Sequence, residues 1–124
     1  MAKKKRKRDE KREERFDREI FVDTYNEYER AAGWYVYLEE KLQFPFTARC
    51  VAKRAVSPLQ VKDEVEVIGM APDEECGSEM FVMIRWEKDG LAVPLAQLEP
   101  IAADEATTQA IEDWHYWVDQ GYEF

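Results

Sequence analysis

Acidic side chains are concentrated in one short segment of the sequence. Between Gly69 and Glu79 the chain reads Gly-Met-Ala-Pro-Asp-Glu-Glu-Cys-Gly-Ser-Glu. The carboxylates of this segment are Asp73, Glu74, Glu75 and Glu79. Ca²⁺ is a hard cation that takes about six to eight oxygen ligands and tolerates irregular geometry. A flexible acidic loop between two strands can supply such ligands, so this segment is the main candidate for a calcium site.

The acidic segment is weak support by itself, because most surface carboxylates in proteins are ordinary solvated charges. The segment also lacks the alternating Asp residues and the final glutamate of an EF-hand loop. Adjacent carboxylates nevertheless repel one another, so grouping them costs folding free energy unless a cation neutralises them. Asp63, Glu112 and Asp113 are secondary candidates for metal ligands, although each is more simply explained as surface charge.

Groups that could perform enzymatic chemistry are scarce in this sequence. The single histidine, His115, lies between Trp114 and Tyr116, where a histidine usually serves packing or hydrogen bonding. Cys50 and Cys76 lack the spacing of a CxxC or zinc motif, so we expect reduced thiols and a cytoplasmic protein. The sequence contains no nucleophile elbow, phosphate-binding glycine loop or HExxH motif. We therefore expect that the protein is not an enzyme.

Charge is distributed unevenly along the chain. The net charge is −9 over 124 residues, yet residues 1–15 carry nine Lys or Arg against four Asp or Glu. The remaining residues carry nine basic and 23 acidic side chains, a net charge of −14. A body this negative repels nucleic acid and anionic lipid and attracts cations. We expect calcium ions as the partner, no membrane contact, and at most weak nucleic-acid contacts through the basic residues. Whether the protein also has a protein partner is unknown from the sequence.

The first part of the chain changes from a basic to a periodic pattern. Residues 1–15 lack apolar periodicity and predict a basic disordered tail, followed by one acidic domain at residues 16–124. From Phe16 to about Leu42, apolar residues recur with helical spacing between charged ones. This region predicts one or two amphipathic helices, with Gly33 as a candidate break.

The centre of the chain alternates with a period of two. This pattern predicts strands at Phe46–Val51, Val61–Ile68, Met80–Trp86 and Leu91–Leu95. The segment Asp104 to Asp119 again has helical spacing. The predicted fold class is α+β, with a small antiparallel, SH3-like sheet or partial barrel. An N-terminal helical region and a C-terminal helix flank this sheet.

Several segments of the chain together match a known family, in order, from about Asp17 to Phe124. They are Trp34–Glu40, Phe44–Cys50, Asp63–Val67, Gly69–Pro72, Met80–Trp86, Leu91–Leu95 and Ala110–Trp117. The chain resembles the small acidic prokaryotic calcium-binding proteins of the CcbP type. The resemblance implies intracellular Ca²⁺ binding without EF-hands, through negative surface charge, with a role in buffering or sensing calcium and no catalysis. It does not identify individual ligands, and the basic segment 1–15 departs from the family pattern.

Two other function classes are consistent with the sequence. One is an SH3-like protein-interaction module, in which the sheet presents an aromatic groove to a peptide and the acidic surface attracts a basic partner. The other is a nucleic-acid-associated factor that uses the basic tail, although the acidic body argues against it. Selective uptake of Ca²⁺ distinguishes calcium binding from both.

Overall fold

The computed structural model describes residues 7–124, which form three α-helices and one five-stranded sheet. The helices are α1 (Glu10–Glu19), α2 (Glu27–Lys41) and α3 (Glu105–Asp119). The strands are β1 (Phe46–Cys50), β2 (Glu64–Met70), β3 (Phe81–Ile84), β4 (Leu91–Pro94) and β5 (Leu98–Ile101). The α+β class predicted from the sequence is confirmed. No helix of the described part is long and apolar enough to cross a bilayer.

All neighbouring strands of the sheet are antiparallel, in the order β4-β3-β2-β1-β5. Phe46 of β1 pairs with Val67 of β2, whose pairing with β3 shifts register between Val67 and Gly69. This irregularity is a β-bulge, which bends and twists a strand. Within residues 7–124, β4 and β5 are the edges of an open sheet, so the SH3-like barrel is not confirmed. The sequence pattern does not predict β5, a four-residue strand that contains Pro100.

Aromatic residues of the three helices pack together on the sheet. Phe16 of α1 meets Trp34 of α2 edge-on, with 5.3 Å between ring centroids. Trp34 in turn meets Trp114 of α3 at 5.1 Å, also edge-on. Edge-on pairs place the positive edge of one ring against the negative face of the other, which adds to the gain from burial. The helices and the sheet thus share one core.

Helix α1 begins inside the segment that the sequence predicts to be a disordered tail. Its first turn is capped by Asp9, whose side chain accepts a hydrogen bond from the Arg12 backbone N–H at 3.0 Å. Phe16, one turn further on, is buried in the core. The predicted boundary at residue 15 therefore falls inside a docked helix, and residues 10–15 are not a disordered segment. Residues 1–6 of the predicted tail lie outside the described residues.

Gly33 lies inside α2 and is not a helix break. A Cβ atom at this position would lie 2.3 Å from the carbonyl oxygen of Ile20, so glycine lets the two chain segments approach closely. The break between α1 and α2 falls earlier, before Asn26. The Asn26 side chain accepts from the Glu29 N–H at 2.9 Å, and Glu29 reaches back to the Asn26 side chain. This exchange defines the start of α2.

Candidate metal centre

The acidic loop, residues 71–79, connects β2 to β3. Ala71 N–H donates to the carbonyl of Phe81 at 3.1 Å, which continues the hairpin pairing beyond β2. Glu75 N–H then donates to the carbonyl of Pro72 at 2.9 Å and closes a single 3₁₀ turn. Three exposed carboxylates occupy successive positions of that turn: Asp73, Glu74 and Glu75.

Two partly buried hydrogen bonds hold the acidic loop against the body of the protein. The Tyr35 hydroxyl of α2 donates to the carbonyl of Ala71 at 2.7 Å. Cys76 is 2% exposed, and its sulfur accepts from the Phe81 N–H at 3.4 Å. Burial raises the pKa of the Cys76 thiol, which keeps it protonated. The exposed carboxylates therefore lie between two anchored residues of the loop, Ala71 and Cys76.

Helix α2 adds a carboxylate to the same surface. Glu39 lies one helical turn after Tyr35, so the two side chains share a face of α2. Burial raises the pKa of Tyr35 above its ordinary value, and the negative charges of Glu39, Asp73 and Glu74 raise it further. The Tyr35 hydroxyl is therefore close enough to carboxylates of both α2 and the acidic loop for their charges to affect it. The acidic surface extends from the loop onto α2.

Glu79, at the end of the acidic loop, has a cationic partner. Both of its carboxylate oxygens accept from the Arg54 guanidinium, at 2.5 and 3.2 Å. By contrast, within residues 7–124 no ion pair involves Asp73, Glu74 or Glu75. The four carboxylates predicted as the main site therefore divide into three exposed groups and one neutralised group.

Asp113, a predicted secondary ligand, lies in the protein interior. Its side chain is 0% exposed and makes two bonds to the Arg15 guanidinium, at 2.6 and 3.0 Å. The Tyr37 hydroxyl donates to the same carboxylate at 2.6 Å, and Arg12 lies 3.3 Å away. A carboxylate enclosed in this way is not accessible to a metal ion from solvent. The structure therefore gives Asp113 a structural role.

The other secondary candidates lie away from the acidic loop. Asp63 immediately precedes β2, whereas the loop follows β2, so the two are separated by the length of this strand. The Asp63 carboxylate accepts from the Gln60 N–H at 2.8 Å, which closes a local turn. Glu112 is exposed on α3, in a shallow depression that it shares with Glu99 and His115. The structure does not bring Asp63 or Glu112 to the loop.

The donor atoms of the acidic loop fit calcium, but they do not converge. Carboxylate oxygens are the ligands that Ca²⁺ prefers, and the exposed turn leaves room for water molecules to complete the coordination. In the part of the chain that the structure describes, no three His, Cys, Asp or Glu side chains are arranged to hold a metal ion. Rotation of the exposed side chains of Asp73, Glu74 and Glu75 would have to bring their oxygens together around an ion.

Comparison with known proteins identifies the family. A family model for CcbP-type proteins, described as calcium binding, matches residues 14–118. The chain belongs to the CcbP family of calcium-binding proteins. The crystal structure of Anabaena CcbP is 42% identical, with a TM-score of 0.84, and the match covers 95% of this chain and 97% of that one. A calcium binding protein in the calcium-binding form is 41% identical, with a TM-score of 0.83 and coverages of 94% and 96%. The search of curated proteins gives no significant match.

Three residues of this CcbP-family surface are not predicted from the sequence: Tyr35, Glu39 and Arg54. Tyr35 and Glu39 have the four-residue spacing of a helix face, but nothing local indicates which loop that face meets. Arg54 lies 25 positions from its partner Glu79, so their pairing depends entirely on how the β1–β2 connection folds. Helical spacing therefore indicates that Tyr35 and Glu39 share a face, but no feature of the sequence indicates the position of Arg54.

Proposed function

We propose that this CcbP-family protein binds Ca²⁺ through the acidic loop, with Asp73, Glu74 and Glu75 as the main ligands. The observation that carries the proposal is that these three carboxylates are exposed, adjacent and without a cationic partner among the described residues. Unneutralised adjacent carboxylates attract a divalent cation more strongly than isolated or ion-paired ones. Glu39 of α2 adds negative charge to the same surface and is a candidate further ligand.

We propose that the protein buffers or senses calcium and has no catalytic activity. Its membership of a calcium-binding family supports this role. Its histidine supports it too, because the His115 Nε2 atom lies 2.5 Å from the carbonyl oxygen of Leu98 and is engaged in a structural contact. Both cysteines are free and buried, which is typical of a reducing compartment and supports a cytoplasmic location.

The competing interaction-module function is supported less well. It depended on an SH3-like sheet, and the open order of the strands does not confirm that form. It also predicts no preference for Ca²⁺. The acidic surface that would attract a basic partner is the same surface that the calcium proposal explains.

Calorimetric titration with CaCl₂ and with MgCl₂ tests the proposal. Wild type should bind Ca²⁺ in preference to Mg²⁺, because an irregular, flexible carboxylate site suits the larger ion. The double variant Asp73→Asn with Glu75→Gln should bind Ca²⁺ at least about tenfold more weakly, a loss of about 1.4 kcal/mol. The matched control is Asp63→Asn with Glu112→Gln, which removes the same two charges outside the loop and should change the affinity little. Equal weakening in both double variants would contradict the proposal.

A further inference from the structure

Arg54 is placed to interact with the acidic loop by a turn in the β1–β2 connection. Its carbonyl accepts from the Ser57 N–H at 3.1 Å, which closes a turn. Ser57 is buried, and so is Leu59 just beyond it. The end of the turn is therefore anchored in the core, and the Arg54 side chain reaches from its start to Glu79.

The contact between Arg54 and Glu79 is of the strong, bidentate type. Two guanidinium N–H groups meet the two carboxylate oxygens at 2.5 and 3.2 Å. The side chains are 37% and 23% exposed, so solvent screens the pair only in part. Parallel N–H···O bonds between a guanidinium and a carboxylate combine charge with a fixed geometry. Both oxygens of Glu79 are thus engaged.

Two consequences of this pair oppose calcium binding by the loop. A carboxylate with both oxygens bonded to a guanidinium must leave that partner before it can coordinate a metal ion. The positive charge of Arg54 also repels a divalent cation that approaches the neighbouring carboxylates. Each effect favours the metal-free state.

We propose that Arg54 is an intramolecular counter-ion of the acidic loop, which competes with Ca²⁺ for Glu79 and so sets the calcium affinity of the site. The inference rests on the proposed function, because it assumes that the loop binds the ion. It adds that affinity is determined by a residue that is itself no ligand. Calcium binding should weaken the Arg54–Glu79 pair by the same factor by which the pair weakens calcium binding.

Removal of the guanidinium should therefore tighten calcium binding. Calorimetric titration with CaCl₂ at constant ionic strength should give Arg54→Gln an affinity about three- to tenfold higher than wild type. Arg54→Lys keeps the charge but lacks the bidentate geometry, so its affinity should lie between the two. The matched control is Arg49→Gln, which removes one positive charge near Glu64 and Glu99, at the end of β2 remote from the loop. Its affinity should stay within about twofold of wild type.

A double-mutant cycle tests whether Arg54 acts on calcium affinity through Glu79. If Arg54 acts partly by holding Glu79, the gain from Arg54→Gln should be larger with Glu79 present than in a Glu79→Gln background. Equal gains in the two backgrounds would remove Glu79 from the mechanism and overturn the competition. Thermal melting of each variant in EDTA verifies that the titrated protein is folded.

The outcomes distinguish this inference from the proposed function. If the Asp73→Asn and Glu75→Gln double variant loses affinity while neither Arg54 variant gains any, the loop binds calcium and the competition is wrong. Weaker binding by both Arg54 variants would show that Arg54 positions the loop instead, and would also overturn the inference. If the loop double variant binds as tightly as wild type, the site lies elsewhere and both proposals fail.

Discussion

The carboxylates of the acidic loop and of Asp113 have the same chemistry in opposite surroundings. Asp73, Glu74 and Glu75 are exposed on a turn and have no cationic partner among the described residues. Asp113 is buried and is surrounded by Arg12, Arg15 and Tyr37. Burial and counter-ions, not residue type, decide which carboxylate can bind a metal ion and which one holds the fold together.

The difference has an energetic basis. An ionised carboxylate in the interior requires partners, because desolvation would otherwise cost several kcal/mol. Asp113 obtains these partners from α1 and α2, and so connects all three helices. Carboxylates at the surface remain hydrated and need no partner, and a bound cation can relieve the repulsion between adjacent ones. The first arrangement stabilises the fold, and the second leaves a charge that an ion can neutralise.

The largest expected effect comes from breaking the buried pair. Asp113→Asn should lower the free energy of unfolding by about 3–5 kcal/mol, because two arginines lose their charged partner. Calcium affinity should be unchanged if the variant is titrated below its melting temperature. The matched control is the exposed neighbour, Glu112→Gln, which should change stability by less than about 0.5 kcal/mol. Urea unfolding of both variants in EDTA measures the contrast. Similar losses in the two variants would contradict the distinction between buried and exposed carboxylates.

The second-largest effect is expected on stability at alkaline pH, through a buried tyrosine. Burial raises the pKa of Tyr116 to about 12, and its hydrogen bond to Glu13 of α1 contributes to the shift. An unfolded tyrosine has a pKa of about 10. A raised pKa in the folded state means that this contribution to stability is complete below pH 10 and is lost as the pH rises towards 12. Urea unfolding between pH 9 and pH 12 should show the loss, and Tyr116→Phe should make the decline shallower. An identical decline in Tyr116→Phe would exclude Tyr116 as its source.

A smaller effect is expected at the contact that anchors the loop. Tyr35→Phe removes the hydrogen bond to the Ala71 carbonyl and should cost about 1 kcal/mol of stability. It should also weaken Ca²⁺ binding modestly, because the start of the loop is less fixed. Tyr28→Phe is the control, since Tyr28 is exposed on the same helix. Calorimetry and thermal melting of both variants test the prediction, and an unchanged calcium affinity in Tyr35→Phe would show that this anchor does not shape the site.

The sequence predicts four of the five strands and the helices α2 and α3, and it misses β5 and the first half of α1. Alternating valines identify β2 because one face of that strand is buried and the other is not. The first half of helix α1 is missed because ion pairs to Asp113 help to hold it in place, and a search for apolar periodicity does not detect ion pairs. Strand β5 is missed because its four residues are defined by pairing with β1 and not by a local pattern.

The assignment of the loop carboxylates as ligands stays a prediction, whereas the structure places Asp113 in the interior, and the sequence contained a signal for that burial. Asp113 lies three residues after Ala110 and four before Trp117, a spacing that places it on the buried face of α3. The same spacing places Glu112 on the exposed face of α3. The pairing of Glu79 with Arg54 could not be predicted, because it joins two connections that meet only in the folded chain.

Melting curves of the loop variant with and without calcium test the central claim most directly. Ca²⁺ that binds only the native state should stabilise wild type by about 2.7 kcal/mol when its free concentration is 100 times the dissociation constant. Asp73→Asn with Glu75→Gln removes ligand charge and repulsion together. This variant should melt higher than wild type in EDTA and gain less from millimolar CaCl₂. An equal calcium-induced shift in wild type and variant would exclude the acidic loop as the calcium site.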